Sequence, residues 1–196
     1  YMAALMTSVI DNPGKVAEYI YSCRQMGIKI LPPDINHGYS NFSVDNGSIR
    51  YGLAAIKSIG RPVIKEIVAE RKANGEFKNL KDFIERMSGK DINKRTIENF
   101  IKSGAFDELG GTRKQFMVIY VQILDQVNRE KKNSMTGQMS LFDIVGEEQK
   151  SEFDIPLPNV GEYEKSTKLA FEKEVLGIYV SGHPLEAYEE KWKKSI

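Results

Sequence analysis

The sequence predicts a mainly α-helical protein in which short helices are arranged in tandem, with a small β-hairpin and a flexible acidic linker. Between residues 53 and 109, apolar residues recur at helical spacing in short segments separated by glycines. Around residues 42–51 apolar and polar residues alternate instead, as in a half-buried strand pair. After residue 146, carboxylates and prolines replace the apolar periodicity. These three patterns determine the predicted fold class.

Two helices are predicted in the first part of the chain. Residues 1–10 already have the apolar spacing of an amphipathic helix, so we expect the chain to be part of a longer polypeptide. Asn12 is placed to cap a second helix that has Pro13 at its first position. Gly27 is predicted to end this helix, whose apolar stripe faces the core.

An extended segment and a β-hairpin come next. Residues 28–31 are predicted to be a short extended run, which Pro32 and Pro33 end. Phe42 and Val44 alternate with polar residues, and the alternation resumes at Ile49 and Tyr51. The intervening residues 45–47, Asp-Asn-Gly, are typical of a tight hairpin turn.

The rest of the chain is predicted to be helical except for two polar stretches. Short helices are predicted at residues 53–57, 62–73, 80–87 and 94–103, and a longer one from 113 to about 132. Residues 133–137 are small and polar, and residues 146–164 read as a flexible acidic linker. Order is expected to return near Leu169, with a last helix around residues 185–192.

The net charge of +1 conceals an uneven distribution. Residues 57–102 contain twelve Lys or Arg against seven Asp or Glu, a balance of +5, which leaves −4 for the remainder. A basic region of this kind is a candidate nucleic-acid surface. Ordinary solvated helix faces explain the same charges, so charge alone does not decide between the two.

Composition argues against several classes of protein. No apolar run approaches the roughly 20 residues that span a bilayer, and the first residues lack the pattern of a signal peptide. A cytoplasmic location is therefore expected. Cys23 is the single cysteine, and with His37 and His183 it forms no zinc-ligand spacing. We expect Cys23 to be a core residue, and no metal or cofactor is expected in this chain.

Residues 56–71 resemble a helix-hairpin-helix, with apolar positions on both sides of a tight turn and a helix starting directly after Gly60. In such a motif the free amides at the turn and at the helix start donate to a backbone phosphate without contacting the bases. Lys57, Arg61 and Lys65 add charge beside them. Pro62, which lacks an amide hydrogen, still suits the first helical turn. Two helices joined by a glycine-containing turn also occur in many helical proteins purely as a packing unit.

A second, looser hairpin is predicted from residues 83–87 through Gly89 and Asp91 to a helix that opens with Asn93-Lys94-Arg95. Two such units together typically clasp duplex DNA from its minor-groove side. The predicted DNA-binding residues are Lys57, Ser58, Gly60, Arg61, Lys65, Asn93, Lys94 and Arg95.

Several sequence phrases resemble one family, the alpha subunit of bacterial DNA polymerase III. They occur in order along nearly the whole chain, at residues 2–5, 23–36, 51–57, 93–95, 102–107 and 174–185. By this resemblance, residues 1–48 are the end of the fingers region and residues 49–110 the tandem hairpin region. The long helix, residues 111–133, leads to a clamp-binding segment at 134–146 and the acidic linker at 147–165. Residues 166–196 lead into an OB-fold beyond the chain.

The resemblance also implies what this chain lacks and where it departs from the family. The family's metal-binding aspartates precede every matched phrase, so Mg²⁺ is expected only in a full polymerase and no catalytic residue in this chain. The helix-hairpin-helix motif prefers glycine where Ser58 stands. The family more often has an acidic residue and glycine where this chain has Arg61 and Pro62, and this departure puts one backbone phosphate contact in doubt.

Residues Gln138-Met139-Ser140-Leu141-Phe142 resemble the family's linear motif for the ring-shaped sliding clamp. An adjacent Leu-Phe pair on a flexible segment suits a peptide that inserts two apolar anchors into a partner's pocket, with Gln138 bonding at the rim. Alternatively, Leu141 and Phe142 pack into the chain's own core. The expected partners are double-stranded DNA, the sliding clamp (the beta subunit) and the remaining polymerase III holoenzyme subunits, without a membrane.

Three other hypotheses remain open. In the first hypothesis, the hairpins are packing units of a protein interaction scaffold that never touches DNA. In the second, the chain is the same region of an error-prone polymerase relative. A nuclease or repair enzyme with a borrowed hairpin pair is a third possibility, although no carboxylate or histidine cluster supports it. We expect His183, Asp34 and Asp107 to be structural or turn residues.

Overall fold

The computed structural model describes residues 1–135 and 155–185, which form seven α-helices, a single-turn 3-10 helix and a three-stranded sheet. The helices are α1 (Met2–Ser8), α2 (Pro13–Gln25), α3 (Arg61–Asn74), α4 (Leu80–Met87), α5 (Lys94–Ser103), α6 (Arg113–Met135) and α7 (Lys165–Leu176). The predicted mainly α-helical class is confirmed, and α4 and α5 have the predicted bounds. No helix within these two ranges is long and apolar enough to cross a membrane.

One predicted helix is shorter than expected. Residues 53–57 were predicted to be helical, whereas only Leu53–Ala55 form a 3-10 turn. Ile56 is already extended, with φ −76° and ψ 128°. The backbone leaves the helix there because the Lys57 amide donates to the carbonyl of Val175 in α7 instead of to its own preceding turn.

The sheet contains the predicted β-hairpin and the extended segment before it. β2 (Ser43–Asp45) and β3 (Ser48–Arg50) pair antiparallel, and β1 (Ile30–Leu31) pairs with β3 in parallel. At the hairpin turn Asn46 and Gly47 have φ of 48° and 79°, the left-handed conformation that this residue pair adopts at low cost. The strand order is β1-β3-β2.

Aromatic rings join the helices that surround the second predicted hairpin. The ring of Phe83 on α4 lies 4.9 Å from that of Phe106 and 5.0 Å from that of Phe77, and it meets Phe100 on α5 at 6.1 Å. All three contacts are edge-to-face, the arrangement that aromatic quadrupoles favour. The core therefore lies directly behind the hairpin and holds its two helices together. Cys23 is buried in the same apolar cluster, as predicted.

A buried ion pair fastens α7 to the start of α6. Arg113 and Glu172 have side chains only 2% and 1% exposed, and Arg113 Nη1 lies 3.2 Å from Glu172 Oε1. Arg113 also pairs with Asp107, at 2.9 Å. Burial lowers the pKa of Arg113, but the hydrogen bond and charge of Asp107, together with Glu172, raise it overall. The other oxygen of Glu172 accepts from the amides of Val180 and Ser181.

Part of the predicted flexible linker is anchored in the structure. Thr112 donates to the carbonyl of Gly161 at 2.6 Å, and the Glu162 carboxylate accepts from the amides of Arg113 and Lys114. Burial raises the pKa of Glu162, but hydrogen bonds from backbone amides lower it overall. The first amides of a helix have no partner within it, and a carboxylate at that position satisfies them. Residues 155–164 thus differ from the prediction because they cap α6.

Candidate nucleic-acid interface

The first hairpin consists of buried apolar anchors and exposed residues between them. Ile56 and Ile59 are 2% and 7% exposed and hold the turn against the core. The predicted DNA-binding residues around them are all exposed, namely Lys57, Ser58, Gly60, Arg61 and Lys65. The turn is therefore presented to solvent on a rigid base.

Ser58 adopts the backbone conformation for which the motif prefers glycine. Its φ is +63°, in the left-handed region that costs a residue with a side chain about 1–2 kcal/mol. The sequence departure noted at this position therefore corresponds to a real conformational demand. Neighbouring contacts must hold the turn in place against that cost.

The start of α3 offers backbone amides to a ligand. Gly60 is the N-cap and Arg61 and Pro62 are the first helical residues. Within the described residues, the amides of Gly60, Arg61 and Val63 find no acceptor, as expected for the first turn of a helix. Proline at the second position removes one donor from the set. The Arg61 side chain lies 3.6 Å from Asp11, with both groups exposed.

The second hairpin begins its helix differently. Gly89 and Asp91 have φ of 83° and 53° and make the predicted turn. The side-chain oxygen of Asn93 accepts from the Thr96 amide at 2.9 Å and caps α5. The Asn93 side chain is therefore already engaged within the protein, whereas Lys94 and Arg95 are exposed cations. Lys94 Nζ lies 3.7 Å from Asp125 Oδ1 on α6, an ion pair in which both side chains are exposed.

Basic residues from both hairpins line one groove. A cavity of about 420 Å³ is lined by Lys57, Lys94, Arg95, Glu98, Asn99, Lys102, Glu174 and Val175. Three of the eight predicted DNA-binding residues, Lys57, Lys94 and Arg95, therefore share a single concave surface. Ser58, Gly60, Arg61, Lys65 and Asn93 do not line it. We refer to this cavity below as the basic groove.

The basic groove also holds residues that the sequence did not indicate. Lys102 lies 2.9 Å from both Glu98 and Glu174, and its side chain is only 12% exposed. Burial lowers the pKa of Lys102, but the hydrogen bonds to these two glutamates raise it overall. Glu98 and Lys102 follow Arg95 on one face of α5, which helical spacing suggests. Glu174 belongs to α7, and no local pattern connects it to this site.

The remaining candidate residues have structural partners. Asp34 Oδ1 accepts from the amides of Asn36 and His37, a turn that carboxylates commonly make. Asp107 pairs with Arg113, and His183 Nδ1 accepts from the Leu185 amide. In residues 1–135 and 155–185 no three His, Cys, Asp or Glu side chains are grouped to hold a metal ion. The predicted clamp motif, Gln138 to Phe142, lies outside the described residues.

Comparison with known proteins agrees with this geometry. Residues 27–116, which contain both hairpins, match the family model described as a helix-hairpin-helix motif. The chain is 40% identical over 185 residues to "DNA polymerase III subunit alpha" of Mycobacterium leprae, and 94% of the chain is aligned. The proteins of that name from Borreliella burgdorferi and Escherichia coli are 40% and 38% identical, each over 96% of the chain.

The chain spans 16% of the length of these curated relatives. Its two hairpins, its small sheet and its last described helix all fall within the aligned portion, because the alignments cover 94–96% of the chain. Over nearly its whole length the chain is therefore homologous to one segment of bacterial DNA polymerase III alpha subunits, a segment that contains a helix-hairpin-helix motif.

Proposed function

We propose that this chain is a non-catalytic segment of a replicative DNA polymerase and that it binds the backbone of duplex DNA through its two hairpins. The observation that carries the proposal is the basic groove, where Lys57 from the first hairpin meets Lys94 and Arg95 from the second. The family relationship supplies the context, since the relatives are named as polymerase subunits.

Backbone recognition follows from the types of donor present. Free amides at the start of α3 and flexible cations in the groove suit phosphate oxygens, which are the same for every sequence. Binding should therefore be independent of sequence and should weaken as salt rises, because each neutralised phosphate releases condensed counterions.

Fluorescence anisotropy with the full chain and a labelled duplex tests this function. Lys57→Ala and Arg95→Ala should each reduce the slope of log K against log salt by about 0.9, the value for one phosphate contact. Lys29→Ala is the matched control, because Lys29 is exposed but belongs to neither hairpin. Absent or salt-independent binding would contradict the proposal.

We also propose that Gln138-Met139-Ser140-Leu141-Phe142 binds the sliding clamp. The support is the sequence pattern of a polar first residue and an adjacent Leu-Phe pair, together with the relatives' identity as polymerase subunits. Such a short peptide would tether the polymerase by raising its effective concentration at the clamp.

A titration of the full chain against purified clamp tests the motif. Leu141→Ala combined with Phe142→Ala should abolish binding, whereas Val118→Ala, which removes exposed apolar surface from α6, should not. Clamp binding that survives the double replacement would contradict the assignment of this motif as the clamp-binding peptide.

One observation favours a second candidate function, a protein interaction scaffold without DNA contact. Glu98 and Glu174 place two carboxylates in the basic groove and neutralise Lys102 there. Retained clamp binding with no measurable affinity for duplex DNA would support the scaffold over the DNA-binding module.

A further inference from the structure

A nearly buried amide side chain connects the two hairpins. Asn99 lies on α5, one helical turn after Arg95, and is 7% exposed. Its Nδ2 donates to the carbonyl oxygen of Lys57 at 2.7 Å, across 42 residues of sequence. The helix of the second hairpin thus holds the backbone of the first.

The backbone amide of Lys57 is hydrogen-bonded as well. The amide of Lys57 donates to the carbonyl of Val175 in α7 at 2.8 Å. Both backbone polar groups of Lys57 are therefore fixed by other elements, one by α5 and one by α7. Lys57 itself has only its side chain left to offer to a ligand.

The position of Lys57 makes these two bonds consequential. It directly precedes Ser58, whose φ of +63° is costly for a residue with a side chain. A turn under such strain keeps its shape only when its surroundings determine it. The bonds to Lys57 do this at the residue where the hairpin enters the turn.

Asparagine is also a poor choice for the interior of a helix. It ranks well below Ala or Leu in helix propensity because its side chain competes for backbone bonds. In α5 its neighbours Ile97, Phe100 and Ile101 are apolar and buried. The donor of Asn99 is directed out of its own helix toward Lys57, so the residue serves a contact between elements.

We propose that Asn99 is a positioning residue that sets the orientation of the first hairpin and so holds Lys57 opposite Lys94 and Arg95 in the basic groove. This inference rests on the proposed DNA-binding function. Asn99 acts on DNA through Lys57 and the turn that follows it, without being the group that neutralises phosphate.

A double-mutant cycle in the full chain tests the proposal, with duplex affinity measured by anisotropy. Asn99→Leu keeps a similar side-chain volume and loses the donor. It should weaken binding about 3- to 10-fold, the effect of one net hydrogen bond. In a Lys57→Ala background the same replacement should weaken binding by less than about twofold, since residues that act as a unit are not additive.

Two further measurements separate positioning from general destabilisation. Ser103→Ala also removes buried hydrogen bonds at the end of α5, one to the carbonyl of Phe100 and one from the amide of Ala105, but neither reaches the first hairpin, so duplex affinity should be unchanged. Hydrogen exchange of the Lys57 amide should become faster in Asn99→Leu. If Asn99→Leu does not fold, Asn99→Ser, whose hydroxyl is too short to reach Lys57, replaces it in both measurements.

The possible failures are distinguishable. Wild-type affinity in the Asn99 variant, equal losses with and without Lys57, or unchanged exchange of the Lys57 amide would each overturn the positioning role and leave DNA binding by the chain intact. A wild-type chain that does not bind duplex DNA would overturn the proposed function and the inference with it.

Discussion

Arg113→Met should destabilise the protein by about 3–5 kcal/mol, the usual cost of removing one partner from a buried ion pair. The guanidinium donates to Glu172 Oε1 from both Nη1 and Nη2 at 3.2 Å. Glu172 is only 1% exposed, so its carboxylate would be left without a cation and nearly without water. Its other oxygen keeps the amides of Val180 and Ser181, which places the expected cost in the lower half of that range.

Glu172→Met removes the opposite partner and leaves those two amides without their acceptor. A buried donor without a partner costs about 1–3 kcal/mol, and these two are partly buried. The double variant should cost less than the two single variants together, by a coupling energy of about 0.5–3 kcal/mol. The pair also bears on function, because α7 carries Val175 and Glu174 to the basic groove.

Urea unfolding followed by far-ultraviolet circular dichroism measures all three variants. Lys15→Met is the surface control, because Lys15 pairs with Glu18 in the open and its loss should hardly move the midpoint. If the two single costs instead sum to the cost of the double replacement within about 0.5 kcal/mol, that result would refute the argument, since it would show that Arg113 and Glu172 do not interact.

Three further outcomes are expected. Hydrogen bonds from Lys90, then Asn74 and Arg86, lower the pKa of Glu70 to about 2 from 4.5. This group therefore contributes stability above pH 4.5 that is lost as the pH falls toward 2, and Glu70→Gln should flatten acid unfolding in that window. Gly104→Ala should cost at least about 2 kcal/mol in urea unfolding, because φ is +84° and a Cβ would collide with Arg113. Gly110→Ala, at φ +80° with nothing near its Cβ, should cost clearly less, and equal costs would exclude the collision. Glu174→Gln should raise duplex affinity about 2- to 5-fold, because it removes one carboxylate from the groove and leaves Lys102 paired with Glu98 alone, and weaker binding would contradict this.

Local patterns were sufficient to predict most elements of the fold. Asn12 caps α2 through its bond to the Lys15 amide, and α4 and α5 have the predicted bounds because amphipathic spacing and flanking glycines are short-range signals. The exposed cations Lys57, Lys94 and Arg95 were predicted for the same reason, since charge placed beside a helix start is visible in the sequence.

Local patterns failed where a distant segment intervenes. Residues 53–57 have a helical composition, yet the bond from Lys57 to Val175 ends the helix early. Residues 155–164 are acidic and rich in proline, yet Glu162 caps a helix that begins 49 residues earlier. In both cases the deciding hydrogen bond joins parts of the chain that no sequence window contains.

The sequence by itself determined that this protein has helical hairpins, a basic central region and a short Leu-Phe motif. Only the tertiary structure decided that Lys57, Lys94 and Arg95 share one groove, and that Asn99, Lys102 and Glu174 complete it. Periodicity and charge are properties of neighbouring residues. A groove, by contrast, is formed when α5, α7 and the first hairpin pack together, and that packing depends on buried contacts such as Arg113 with Glu172.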